Sequence, residues 1–88
     1  MKIPETGSLW LDQSSLASAN RYILVTGLAD EERVRAVTWY DELNGHATLR
    51  RTTLAIQGFQ PKANGVWART GKRPARREPK YGRPKLED

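Results

Sequence analysis

The pair Asn44-Gly45 lies between two runs of strand-forming residues, and it constrains the fold more than any other feature of the chain. Upstream stand Val34, Val37, Thr38, Trp39 and Tyr40, and downstream runs Ala47-Thr48-Leu49-Arg50-Arg51-Thr52-Thr53-Leu54-Ala55-Ile56. β-Branched and aromatic side chains suit a pleated, half-buried surface. Asn-Gly readily adopts the positive φ angles of a two-residue hairpin turn. The segment 30–43 also carries helix signals. Asp30 could cap a helix, Glu31 and Glu32 would sit in its first turn, and Asn44-Gly45 would end it, with Val37, Tyr40 and Leu43 on one face. The β-rich runs on both sides of Asn-Gly favour the hairpin, which leaves Asp30-Glu31-Glu32 in the turn before it.

The rest of residues 1–70 follows the same pattern. Ser8-Leu9-Trp10-Leu11 reads as a short first strand after Pro4 and Gly7, and Arg21-Tyr22-Ile23-Leu24-Val25-Thr26 as a second strand ended by Gly27. Residues 12–20 are polar and small and read as a loop. Val66-Trp67-Ala68-Arg69 reads as a fifth strand, after a turn at Ala63–Gly65. A short five-stranded antiparallel sheet must curl to cover its apolar face. The expected fold is therefore all-β, a small closed or partly open barrel, with Leu9, Ile23, Val25, Val34, Ala36, Leu54, Ile56 and Phe59 as its core. So small a core points either to marginal stability or to a homodimer.

Residues 71–88, GKRPARREPKYGRPKLED, differ in kind. They carry seven cationic and three anionic side chains, a net of +4 within a chain whose formal net charge is +5. With three prolines and little to bury, they are expected to be a disordered basic arm. The domain boundary is placed at residue 70. Basic charge concentrated on one segment of an otherwise near-neutral chain points to a polyanionic partner.

Catalytic and metal-binding patterns are missing from the sequence. There is no cysteine, so disulfides and thiolate metal sites are excluded, and His46 is the only histidine. The carboxylates cluster in polar turns, where nothing would raise a pKa for acid catalysis. No glycine-rich phosphate loop occurs. The expectation is a non-enzymatic protein without cofactor or metal. The longest apolar run, Tyr22-Ile23-Leu24-Val25, is too short to cross a membrane, and MKIPETGSLW has no signal-peptide core. A cytoplasmic protein is expected.

Basic and aromatic residues carry the functional signal. Arg33 and Arg35 alternate on the strand that pairs with the one bearing Arg50 and Arg51, and Trp39 and Tyr40 lie on the same hairpin. Exposed aromatics beside arginines make a surface that stacks bases and contacts phosphates. The arm adds Lys72, Arg73, Arg76, Arg77, Lys80, Arg83 and Lys85. Within it, Gly82-Arg83-Pro84 is similar to the core of an AT-hook, a narrow extended segment whose arginine enters an A·T minor groove.

The series Gly7-Ser8-Leu9-Trp10, R-Y-I-L-V-T-G, R-T-T-L-A-I-Q-G-F and G-V-W, in that order over residues 7–67, resembles the small SH3-like barrel proteins of bacteriophages and mobile elements. Gly7-Ser8-Leu9-Trp10 and Ile56-Gln57-Gly58-Phe59 match best. The resemblance implies a five-stranded SH3-like barrel and a binding module rather than an enzyme. Together with the charge asymmetry it points to a nucleic-acid-binding accessory protein, DNA or RNA, using the arm and the Arg/aromatic hairpin. The alternatives are a phage-encoded module that binds a host protein and modulates a host enzyme or nucleic-acid complex, and an RNA- or ribosome-associated protein.

Overall fold

The computed structural model describes residues 3–12, 21–40, 49–59 and 71–85. It is all-β: five antiparallel strands in one sheet, β1 (Leu9–Asp12), β2 (Arg21–Leu28), β3 (Arg33–Tyr40), β4 (Arg50–Ala55) and β5 (Lys72–Pro74). The sheet order is β4-β3-β2-β1-β5. The first four strands form a meander and β5 returns to the outer side of β1. Among the described residues β4 and β5 are opposite edges that do not pair with each other, so the sheet is open there.

The strand reading of residues 33–40 holds, and the antiparallel pairing of β3 with β4 places Arg35 across from Thr53 and Thr38 across from Arg50. Asn44-Gly45 and His46 lie outside the described residues, as do the expected strand 66–69, the turn at 63–65 and Trp67. Asp30-Glu31-Glu32 forms the β2–β3 turn. The Asp30 carboxylate accepts the backbone N–H groups of Glu32 and Arg33 at 2.8 and 2.9 Å, the local bond that makes Asp a turn former. Ahead of β1, Ser8 N–H donates to Glu5 O at 3.0 Å and Gly7 has φ +88°, so that turn requires glycine.

The sheet has apolar clusters on both faces. On the first face Ile23, Val25, Val34, Ala36, Ile56 and Phe59 are buried, with Trp10 and Leu54 packed against them. The 3₁₀ turn Ile56–Gly58 and Phe59 fold over this face, and Trp10 meets the Phe59 ring edge-on with centroids 5.1 Å apart. On the second face Leu9, Tyr22, Leu24, Val37 and Trp39 are buried. The expected core residues are the first face plus Leu9. A second cluster was not expected, because a sheet covering one face calls for alternation. Burial on both faces instead permits the continuous apolar runs Tyr22–Val25 and Ala36–Val37. A register shift between Val25 and Gly27 makes Thr26 the extra residue of a bulge.

The expected disordered arm is corrected over residues 71–85. Lys72–Pro74 is a strand, registered Trp10 with Pro74, Leu11 with Arg73 and Asp12 with Lys72. Ala75 N–H continues the ladder to Leu9 O at 2.9 Å. Pro79 and Pro84 are buried. The physical reason is the open edge of β1. Backbone pairing needs no apolar side chains, and proline is tolerated on an edge strand.

Candidate nucleic-acid interface

Register assigns each expected arginine to a face. Arg33, Arg35, Arg51 and Arg73 belong to the second face, because Arg35 opposes Thr53, Arg51 opposes Val37 and Arg73 opposes Leu11. Arg50 opposes Thr38 and belongs to the first face. The four hairpin arginines therefore do not form one cluster. On the second face Arg51 and Arg73 stand on strands at opposite edges of the sheet, four strand spacings or about 19 Å apart. One phosphate group cannot span them.

Trp39 is not an exposed stacking residue. Only 1% of its surface is exposed, and its ring stacks on Tyr22 at 5.7 Å with an interplanar angle of 18°. Its position on the second face, among Leu24, Val37 and Leu9, makes it core. Tyr40 is half-buried at the end of β3.

Arg33 is turned to a structural task. Ile56 N–H bonds Glu32 O at 2.8 Å, so bonded pairs along β3–β4 fall at Val34/Leu54 and Ala36/Thr52. Arg51, Thr53 and Ala55 then point their backbone groups away from β3, toward the open edge. The Arg33 guanidinium reaches across and donates to Thr53 Oγ1 at 3.0 Å and to Thr53 O at 3.1 Å. It covers an acceptor that would otherwise invite another strand.

Arg83 does the same at the far edge. Its Nε and Nη2 donate to the two Glu78 oxygens at 2.9 and 2.8 Å, and its Nη1 donates to Gly7 O at 3.0 Å. The bidentate bond from Arg83 holds the Glu78 carboxyl below its ordinary value and raises the guanidinium. The AT-hook likeness of Gly82-Arg83-Pro84 therefore meets an arginine already engaged inside the molecule. Lys72 is likewise drawn inward, with Nζ 5.8 Å from the Phe59 ring centroid. Lys80 lies over the Tyr81 ring at 5.6 Å, and both Lys80 and Lys85 are exposed.

What remains is a cationic strip on the β5 side. Arg73, Arg76 and Arg77 are exposed and have no anionic partner among the described residues. With Leu11, Tyr22 and Pro74 they line a groove of about 250 Å³. A second cationic spot, with two arginines instead of three, joins Arg35 and Arg51 with Thr26 and Thr53 around a groove of about 300 Å³.

Sequence reasoning passed over Arg21. Its Nη1 donates to Asp12 Oδ2 at 2.8 Å and its Nη2 to Thr38 Oγ1 at 3.4 Å. The Asp12 side chain is only 3% exposed. The signal available in the sequence was an acid and a base at the adjoining ends of two neighbouring strands, which becomes informative only once the register is known.

No protein-family model, no curated protein and no solved structure matches this chain. No helix among the described residues is long and apolar enough to cross a membrane.

Proposed function

We propose that this chain is a non-enzymatic nucleic-acid-binding accessory protein of the kind encoded by phages and mobile elements, acting in the cytoplasm. The observation that carries the reading is the strip of Arg73, Arg76 and Arg77, exposed and without carboxylate partners among the described residues. β5 and the Arg83 bridge hold this strip against the sheet. An arginine row on a held backbone loses less entropy on binding phosphates than one on a free arm. Arginine's planar fork suits phosphate oxygens. The burial of Trp39 removes the stacking component expected at that position, so contacts to the phosphate backbone dominate. The small SH3-like barrel remains the architecture this reading favours. Its support is the four-strand meander, the β2 bulge and the 3₁₀ turn folded over one face.

The test is salt dependence. Fluorescence anisotropy with a labelled duplex and a labelled single strand, over a range of NaCl concentrations, gives the slope of log K against log salt. Each neutralised phosphate contributes about −0.9 on duplex DNA, so Arg73→Gln/Arg76→Gln/Arg77→Gln should flatten the slope by up to about 2.7. Absence of binding, or a slope unchanged in the triple variant, would refute the assignment.

The rival is a protein-interaction module that recruits a partner strand to β4. Its supporting observation is that β4 is an edge in the described sheet. Against it, Arg33 already occupies Thr53 O. A partner strand would have to displace that guanidinium. Saturable capture of one protein that survives nuclease treatment and loss of the Arg73–Arg77 charges would favour this rival.

A further inference from the structure

At the end of the sheet where β2 begins and β3 ends, Arg21, Thr38, Tyr40 and Arg50 of the first face, together with Trp39, line a pocket of about 320 Å³. Arg21 opposes Tyr40 and Arg50 opposes Thr38, so both arginines approach this pocket from register-fixed positions. The Arg21 side chain is 26% exposed and the Asp12 carboxylate that it binds is 3% exposed. A buried carboxylate left without its cation is costly. Arg21 is therefore held in one orientation by Asp12, and the Thr38 hydroxyl gives a second, longer contact at 3.4 Å. A guanidinium has five N–H donors, and these two bonds leave others directed elsewhere. Arg50 is exposed and makes no ion pair among the described residues.

The charges settle which ligand class fits. The Arg21–Asp12 pair is neutral by itself, and Arg50, which has no ion-pair partner among the described residues, adds a positive charge beside it. The pocket thus combines a pre-oriented guanidinium, an exposed one, and the half-buried Tyr40 as a further hydrogen-bonding group. Such a set matches several oxygens of one compact anion, since an arginine fork engages two oxygens at once. We propose that this pocket is a binding site for a phosphate monoester, with Arg21 and Arg50 as its ligands and Asp12 as the residue that positions Arg21. The phosphate can come from a free small molecule or from the terminal phosphate of a nucleic-acid strand, and the chemistry of recognition is shared. The site is on the opposite face from the Arg73–Arg77 strip and does not depend on it.

The experiment follows the arginine Nε–Hε signals of the full chain by NMR, with sodium phosphate as the probe and sodium chloride at matched ionic strength as the reference. Saturable shifts confined to Arg21 and Arg50, caused by phosphate and not by chloride, are expected. Arg50→Gln should weaken the Arg21 response to phosphate about tenfold or more, the equivalent of one charge-assisted hydrogen bond. Its melting temperature should stay unchanged, because Arg50 is exposed. Equal shifts at every arginine, or an Arg21 response that persists at full strength in Arg50→Gln, would overturn the site. Oligonucleotides with a 5′-phosphate or a 5′-hydroxyl then separate the sources. Displacement of inorganic phosphate by the phosphorylated strand alone identifies a strand end. Binding of inorganic phosphate with no difference between the two strands identifies a small-molecule ligand. The Arg73→Gln/Arg76→Gln/Arg77→Gln protein should retain the phosphate response, so the strip and the pocket can fail independently.

Discussion

Arg83 joins two distant parts of the chain through one guanidinium, with Glu78 on one side and the Gly7 carbonyl on the other. The Glu78 carboxyl is held below its ordinary value of 4.5. A depressed carboxylate contributes most when ionised. The contribution of this bridge is therefore fully present above about pH 4.5 and is lost as pH falls through the lower folded-state value. An NMR titration should place the Glu78 midpoint below the ordinary glutamate value, and the depression should vanish in Arg83→Ala. Trp39 gives a prediction of another kind. As a core residue stacked on Tyr22, its replacement by alanine should destabilise the fold by about 3–5 kcal/mol in urea denaturation. An exposed stacking residue would leave stability nearly unchanged.

At the scale of elements, the two sheet edges explain most of what the cations do. Along β1, Arg73, Ala75 N–H and the Arg83 guanidinium follow one another beside Leu11, Leu9 and Gly7. Along β4, Arg33 covers Thr53 O. Unpaired edges invite association, and natural sheets cover or charge them. Removal of residues 71–88 should expose the β1 edge, and the shortened chain should self-associate more strongly than the full chain in sedimentation velocity. Arg33→Ala should promote weaker association through β4. A monomeric truncated chain with undiminished stability would show that β5 contributes nothing to the sheet.

For the whole molecule, the described cations divide by face and edge as well as by body and arm. Some of the expected arm cations are tied inward, Lys72 against Phe59 and Arg83 against Glu78, while Arg73, Arg76 and Arg77 face outward. The salt slope should accordingly respond to the Arg73–Arg77 triple variant and very little to Arg83→Ala under conditions where β5 stays paired with β1. Far-UV circular dichroism should show a single β-type minimum. A pronounced helical pair of minima would contradict the sheet. Four of the described strands were legible from β-branched and aromatic runs, with shifts of one to three residues at their ends. The first-face core was legible for the same reason.

Local composition thus determined the all-β class, the strands through β4 and the chain's own net positive charge, because strand preference and net charge are properties of neighbouring residues. Tertiary structure alone decided the rest. Whether Trp39 stacks on a ligand or fills a core depends on what covers the second face. Whether residues 72–74 are disordered depends on an edge more than fifty residues away that offers backbone partners without apolar burial. Whether Arg21 meets Asp12, and Arg83 meets Gly7, depends on register and chain return. These outcomes rest on long-range pairing, in which the decisive partner is a backbone or carboxylate group that no local pattern identifies.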